Sequence, residues 1–322
     1  MKVAIIGAIE FDSLEYHIHD ELTVQGKEAK IFDYKNVFPK KIDYGISQLF
    51  MTYVEKKNKK LLDDILYYKP DLVIGIYRHI HPLLIKGIKE KKIKIINLNP
   101  DQLATLQHQQ MFVETYDAYF TKDAYMLKFM KNKLNLNAFQ YQEAFNPRVH
   151  LKPNKTFKEM EHKTEIDVLC FGNLYAYRNR MLRILKESGI NITLFGHKAK
   201  YFDPFLSENF QNRGIYGGEK ANILNGAKIV FNNLHYAEIE SVNNKFFEIT
   251  GSGAFQICDY KPILKKLLPL DPKLISFETI NEAERLIKHY LKKPEARWEI
   301  RNKLYTFFQQ NYTYENLIKN IF

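Results

Sequence analysis

The chain has 322 residues and a formal net charge of +11, from 48 Lys and Arg against 37 Asp and Glu. That length suits two domains of about 150 residues each better than a single core. The positive balance favours anionic partners such as nucleic acid, acidic lipid surfaces or phosphorylated small molecules. Runs such as EKKNKK (55–60) and KEKKIK (89–94) nonetheless read as solvated helix faces. No apolar stretch nears the roughly 20 residues that a membrane span needs. The opening MKVAIIGAIEFD lacks the apolar core and cleavage site of a signal peptide. Cys170 and Cys258 lie in apolar, strand-like runs. They read as buried small hydrophobes of a reducing compartment, so a cytoplasmic location is expected.

KVAII (2–6) is the continuous apolar run of a buried parallel strand and ends at Gly7-Ala8. Helical periodicity follows to Gly26, then a second strand over 28–34. This βαβ opening begins a Rossmann-like domain. A helix through KKLLDDILYYK, a strand at 71–77, a helix in PLLIKGIKEK and a strand at 93–99 come next. A polar helix near DQLATLQHQQMFVETY, a strand at 118–121 and a helix in DAYMLKFMKNKL continue the alternation. The segment 146–165 is polar, contains Pro and lacks periodicity, so it reads as the linker. Alternation restarts with strand IDVLCFG, helix RNRMLRILKESG, strand INITLFG, helix EKANILNGA and strand KIVFNNL (228–234). A short helix, strands in AFQICD and KLISF, helix NEAERLIKHYLKK and a long helical terminus complete the chain. The pattern implies two parallel-sheet α/β domains.

In open α/β sheets ligands bind beyond the carboxyl ends of the strands. There the second half places Gly172, Asn173, Arg178 and Arg180 after one strand, and His235 followed by ESVNNKFFE after another. Glu240 and Glu248 stand eight apart, astride a helix start that Ser241 or Asn243 would cap. Free N–H groups at such a helix start suit a phosphate or pyrophosphate. A carboxylate beside it is coherent if it accepts from vicinal hydroxyls, as on a ribose or another sugar. A nucleotide sugar satisfies both demands; two surface glutamates are the plainer reading of the spacing alone. In the first half, Arg78, His79 and His81 follow a strand, as do Asn99 and Asp101. A capping or packing role serves the histidines equally well, and Asp101 reads as a polar contact or a helix N-cap. Gly7-Ala8 lacks the G-x-G-x-x-G of a dinucleotide site, which excludes a dehydrogenase.

DVLCFGNLYAYRNRMLRIL, LFGH, GAKIVFNNLH, NNKFFEITGSGAFQICD and the terminal YTYENLIKNI resemble the CgeB-like (spore maturation protein-like) branch of glycosyltransferases. More broadly they resemble retaining, GT-B-fold enzymes of the family 4 class with an E-x7-E motif. The match is dense over 166–260 and looser across the first half. The resemblance implies an α/β GT-B fold, two Rossmann-like parallel-sheet domains facing a central cleft. Residues 1–155 would form the acceptor-side domain and 156–300 the nucleotide-sugar domain, with a terminal helix (301–322) returning to the first. It implies catalytic roles for Glu240, Arg178 and His79. Gly172, Asn173, Arg178, His235, Val242, Asn243, Asn244, Lys245 and Glu248 would bind the donor, with Glu248 on the ribose and Glu240 facing the sugar. Gly7, Ala8, Arg78, His81 and Asp101 would line the acceptor or sugar pocket. Many such enzymes carry an Arg and a separate Lys in the loop after the first strand of the second domain; here Arg178 and Arg180 are the obvious basic candidates.

The implied reaction moves a sugar, with retained configuration, from a UDP- or GDP-sugar to a hydroxyl of a glycan, glycolipid or glycoprotein, as in polysaccharide biosynthesis. Front-face attack would need no protein nucleophile, and no Ser-His-Asp or Cys-His arrangement is recognisable. No D-x-D-like motif follows a strand and no cluster has metal-ligand spacing, so no metal and no cofactor are expected. A bacterial, cytoplasmic protein that also docks on the anionic inner membrane face would use the positive charge. The competing reading is a non-catalytic nucleotide-sugar or glycan-binding protein on the same scaffold. Nucleic-acid binding lacks its usual marks: zinc-finger spacing, an RNP-like strand or a basic arm.

Overall fold

The computed structural model describes residues 1–33, 40–77, 79–102 and 110–322. They divide into two compact units, Met1–Gln142 with Ile318–Phe322, and Glu143–Leu317.

The first unit is built on β1 (Lys2–Ile6), β2 (Glu28–Phe32), β3 (Leu72–Ile76), β4 (Lys94–Asn99), β5 (Ala118–Thr121) and β6 (Ala138–Gln140). These pair in the order β2-β1-β3-β4-β5-β6, every neighbour parallel. Its helices are α1 (Leu14–Val24), α2 (Lys40–Leu49), α3 (Met51–Tyr68), α4 (Pro82–Glu90) and α5 (Ala124–Leu134). Strand β3, and β1 beyond Lys2, can be apolar throughout because both faces of a parallel sheet are covered: Val3, Ala4, Ile5 and Ile6 are fully buried. Asp123 starts α5 by accepting from the N–H of Tyr125 and Met126. Asn135, at φ +49°, ends it in the left-handed region.

The second unit begins with α6 (Phe157–Thr164) and continues β7 (Val168–Phe171), α7 (Ala176–Glu187), β8 (Ile192–Phe195), α8 (Gly217–Gly226), β9 (Ile229–Asn232), α9 (Asn244–Gly251) and β10 (Gln256–Asp259). Then come α10 (Leu264–Leu267), β11 (Ser276–Phe277), α11 (Ile280–Lys292), α12 (Pro294–Asn311) and α13 (Tyr314–Ile321). Its parallel sheet runs β11-β10-β9-β7-β8. Both sheets therefore reverse direction of growth once, between β1 and β3 and between β7 and β9. These are the topological switch points, where loops diverge and leave a crevice.

Several expectations shift. The division falls between Gln142 and Glu143, not at 155/156, because Phe145 is in the second core. Its N–H donates to Tyr312 O, its carbonyl accepts from Tyr314, and its ring fills the space a Cβ on Gly251 would need. The expected linker over 146–165 contains α6, started by a capping box in which Thr156 and Glu159 satisfy each other's backbone N–H groups. Residues 301–311 are not a returning helix: they continue α12, which packs on α9 within the second unit. Only Ile318–Phe322 group with the first, where the Lys27 ammonium lies over the Phe322 ring. The expected helix near 101–116 falls mostly outside the described residues, and a 3-10 turn at Gln110–Phe112 is what is described of it.

One buried ionic cluster fixes α12. Glu161 of α6 accepts from Arg297, from Arg301 at 2.9 Å and from the Trp298 indole at 3.0 Å. Arg301 also donates to Asn225 O and Gly253 O, closing the carboxyl end of α8 and the turn after α9.

Candidate functional site at the carboxyl ends of β7 and β9

Strand β7 ends at Phe171, and Gly172 turns the chain with φ +94°, a conformation that glycine adopts without strain. A Cβ there would sit 2.1 Å from the Lys245 Nζ. Gly196, beyond β8, is held as tightly: its own Cβ would meet Gly172 O at 2.3 Å. The turn is therefore glycine by necessity at both positions, and the ammonium beside it comes from another element.

Lys245 lies in the first turn of α9 and reaches across to donate to Phe171 O at 2.7 Å, its Nζ over the Phe171 ring. Its side chain, implied by the resemblance to bind the donor, reaches the end of β7 from 74 residues further along the chain. Desolvation, and after it the nearby Arg178 guanidinium, lower its pKa to about 7. Helix α9 starts at Asn243, whose side chain accepts from Phe246 N at 3.1 Å; Ser241 instead donates to Glu238. The Asn243 and Asn232 amides bond each other reciprocally, and Asn232 also donates to Gln256 at 2.9 Å. This amide ladder ties the start of α9 to β9 and β10. Val242 is buried in the core, so its side chain anchors the segment. The first-turn N–H groups of a helix have no intrahelical partner and carry partial positive charge. Gly172, the Lys245 ammonium and this helix start thus converge on one spot suited to an anion.

Arg178, 4% exposed, braces the same edge. Its Nε donates to Asn233 Oδ1 at 2.7 Å, and its terminal nitrogens donate to Asn173 O at 2.6 Å and Asn233 O at 2.9 Å. Three of the five guanidinium N–H groups are spent on holding the β7 and β9 loops together. Arg180 is exposed. Asp259, which sequence reading missed, accepts from Leu234 N and fixes the exit of β9; burial raises its pKa. Asn173 is exposed and its amide donates to the Tyr175 hydroxyl at 3.2 Å. His235 accepts from Ala237 N and lies among Tyr175, Tyr177 and Tyr236.

The two glutamates occupy opposite environments. Glu240 is exposed in the bend before α9, whereas Glu248, 5% exposed, is sunk on α9. Glu248 accepts from Lys220 Nζ at 2.9 Å and from Asn244 Nδ2 at 2.7 Å, with His150 Nε2 4.0 Å away. Lys220, from α8, and His150 were also missed: nothing in their local sequence marks them as burial sites, and the sheet brings them in. A carboxylate offers about four lone-pair positions, so hydroxyl groups can join these donors.

In the first unit Gly7 is filled rather than open. A Cβ there would strike Glu15 Oε1 at 2.4 Å, and that carboxylate accepts from Ala8 N at 3.0 Å. Burial raises the Glu15 pKa. The expected close approach of substrate at Gly7-Ala8 is taken by a side chain of the same unit. His81 caps α4, its Nδ1 accepting from Leu83 N at 3.2 Å, and burial lowers its pKa. His79 is exposed and stacks on Tyr77, which is strained at φ +68° just past β3. Asp101 is exposed; its N–H and carbonyl bond the Asn99 side chain in a local turn. Arg78 lies outside the described residues.

Two parallel-sheet α/β units, each with its switch point at the carboxyl ends of its first and third strands, make the architecture of the GT-B fold. Residues 178–322 match the family described as "Glycosyl transferase-like". Sucrose-phosphate synthase from Thermosynechococcus elongatus superposes with a TM-score of 0.70 at 10% identity, over 99% of this chain and 97% of that one. The Anabaena protein HepE in complex with UDP superposes with a TM-score of 0.67 at 8% identity, over 100% and 98%. A glycosyltransferase from Rickettsia africae gives 0.67 at 10% identity, over 99% and 96%. No curated protein sequence matches the chain. These likenesses show the GT-B fold over the whole chain, and its second half matches the glycosyl transferase-like family. Among the described residues no helix is long and apolar enough to cross a membrane.

Proposed function

We propose that the chain transfers a sugar, with retention and without a metal ion, from a nucleotide diphosphate sugar to a hydroxyl of a glycan, glycolipid or glycoprotein. The observation that carries this reading is the Lys245 ammonium, held beside Gly172 at the start of α9 with its pKa lowered to about 7. A cation left this poorly solvated gains most from an anion placed against it. UDP is the first candidate, because HepE was solved with UDP and also with UDP and glucose. The diphosphate would lie on Gly172, Lys245 and the N–H groups opening α9. Glu248 would accept from the ribose hydroxyls, and Glu240 would face the sugar. As the glycosidic bond breaks, charge grows on the departing diphosphate, and the fixed ammonium and helix start stabilise it without reorganising. Arg178 is a positioning residue in this scheme, since it keeps Asn173 and Asn233 in place.

Calorimetric titration with UDP, GDP, dTDP, ADP and CMP tests the reading. Selective binding of one diphosphate, lost in Lys245→Met and weakened in Glu248→Ala, is expected; a folded protein that binds none of them refutes it. Binding with neither donor hydrolysis nor transfer would leave a nucleotide-sugar-binding protein.

A further inference from the structure

Beside the proposed diphosphate site the same loops carry four aromatic rings that the scheme above leaves unused. Tyr175 and Tyr177 stack with centroids 5.8 Å apart and planes within 9°. His235 meets both edge-on, at 5.1 and 5.9 Å and near-perpendicular angles. Tyr236 lies 4.2 Å from His235 and crosses Tyr177 at 78°. Three of the rings are held by hydrogen bonds, and Tyr236 packs on two of them: Tyr177 donates to Leu234 O, Asn173 donates to the Tyr175 hydroxyl, and Ala237 N–H holds the His235 ring. The group is also in solvent, with Tyr236 76% and Tyr175 39% exposed. Aromatic surface held this way and left in water on a strand-end loop calls for a ligand.

We propose that this corner is the acceptor subsite, and that it stacks a pyranose ring of the acceptor against Tyr236 and Tyr175. The inference rests on the glycosyl-transfer reading. Ring geometry selects a sugar over a nucleobase. A flat base is best held between parallel faces about 7 Å apart, twice an ordinary contact distance, but the parallel pair here is closed at 5.8 Å. What remains is two walls at nearly a right angle, which suit the thick, C–H-studded face of a pyranose. Exposure also suits an acceptor, which arrives from solution and leaves again. The Tyr236 hydroxyl has no partner among the described residues and can bond a sugar hydroxyl at the rim. An acceptor with only an alkyl alcohol would gain little from such a corner.

The test uses the full chain with and without UDP. Saturation-transfer-difference NMR is recorded with methyl β-D-glucopyranoside, methyl β-D-galactopyranoside and methyl α-D-mannopyranoside, alongside calorimetric titration of UDP. Expected is a signal from at least one pyranoside on the UDP-loaded protein. Its apparent affinity should fall about three- to tenfold in Tyr236→Ala and Tyr175→Ala, the range for one aromatic contact. Tyr236→Phe, which keeps the face, should lose less, and UDP affinity should stay within twofold throughout. No pyranoside signal from a protein that binds UDP overturns the subsite and leaves the donor reading intact. A UDP affinity that falls together with the pyranoside signal also overturns it, since the rings would then hold the base. If UDP does not bind but a pyranoside signal vanishes in Tyr236→Ala, the rings do hold a sugar, but the donor reading fails and the acceptor assignment is overturned with it.

Discussion

Replacing Glu161 by Gln removes one negative charge from between two buried guanidinium groups. Glu161 is 6% exposed, and Arg297 and Arg301 are 1% exposed. Burial lowers the Arg301 pKa to about 9, with Glu161 acting in the opposite direction. Breaking a buried pair by removing one partner costs about 3–5 kcal/mol, because the remaining charge is left uncompensated. Here each arginine keeps a backbone acceptor: Tyr290 O for Arg297, Asn225 O and Gly253 O for Arg301. The expected loss is therefore near the lower limit, about 3 kcal/mol. With a urea slope of about 2 kcal/mol/M, the midpoint of the second unit should fall by about 1.5 M. Trp298, the chain's single tryptophan, donates to Glu161; its fluorescence reports this transition locally, and far-UV circular dichroism supplies a probe the substitution does not touch. A midpoint shift under about 0.3 M in both probes would refute the argument. A triple replacement, Glu161→Leu with Arg297→Met and Arg301→Leu, should recover much of the loss, since a packed apolar cluster needs no counter-charge.

Three further outcomes address the proposed site. Lys245 with a pKa near 7 is charged below neutrality and loses its proton above it unless an anion is bound. Binding then requires proton uptake, so UDP affinity should hold near pH 7 and decline toward pH 9.5, up to tenfold per unit. This window lies above the last phosphate ionisation near 6; an affinity flat across it would exclude Lys245 as a ligand. Gly172→Ala forces a side chain into a left-handed turn, costing about 1–2 kcal/mol, and drives its methyl into the Lys245 ammonium. It should lose UDP binding in calorimetry while the fold survives by circular dichroism, and unchanged affinity would show that the turn does not touch the diphosphate. Donor hydrolysis and transfer should persist in excess chelator, and complete loss of turnover there would refute metal independence.

Continuous apolar runs gave the strands directly, because in a doubly covered parallel sheet nearly every strand residue must be apolar. AYFT at 118–121 matches β5 end to end, and IKIINLN contains β4. The α6 capping box is legible as Thr156 three residues before Glu159, but the helix it starts is short, polar and preceded by two prolines, so it reads as linker. The switch-point loops were also legible, since Gly172, Arg178 and Asn243 directly follow strands or open a helix. Their roles were less so. Arg178 looks in sequence like a free cation, and only the loop conformation shows three of its N–H groups spent on Asn173 and Asn233.

Local sequence therefore determined what depends on neighbours along the chain: strand and helix periodicity, the two-part α/β alternation, and the loops where a ligand would bind. The tertiary structure decided what depends on residues distant in sequence. It brought Lys245 across 74 positions to Phe171, paired Glu248 with Lys220 across 28, and set Glu161 between arginines 136 and 140 residues away. Charge and protonation in a protein follow from burial and from which group lies within a few ångströms. Neither quantity exists until the sheet has closed its order and the helices have been laid against it.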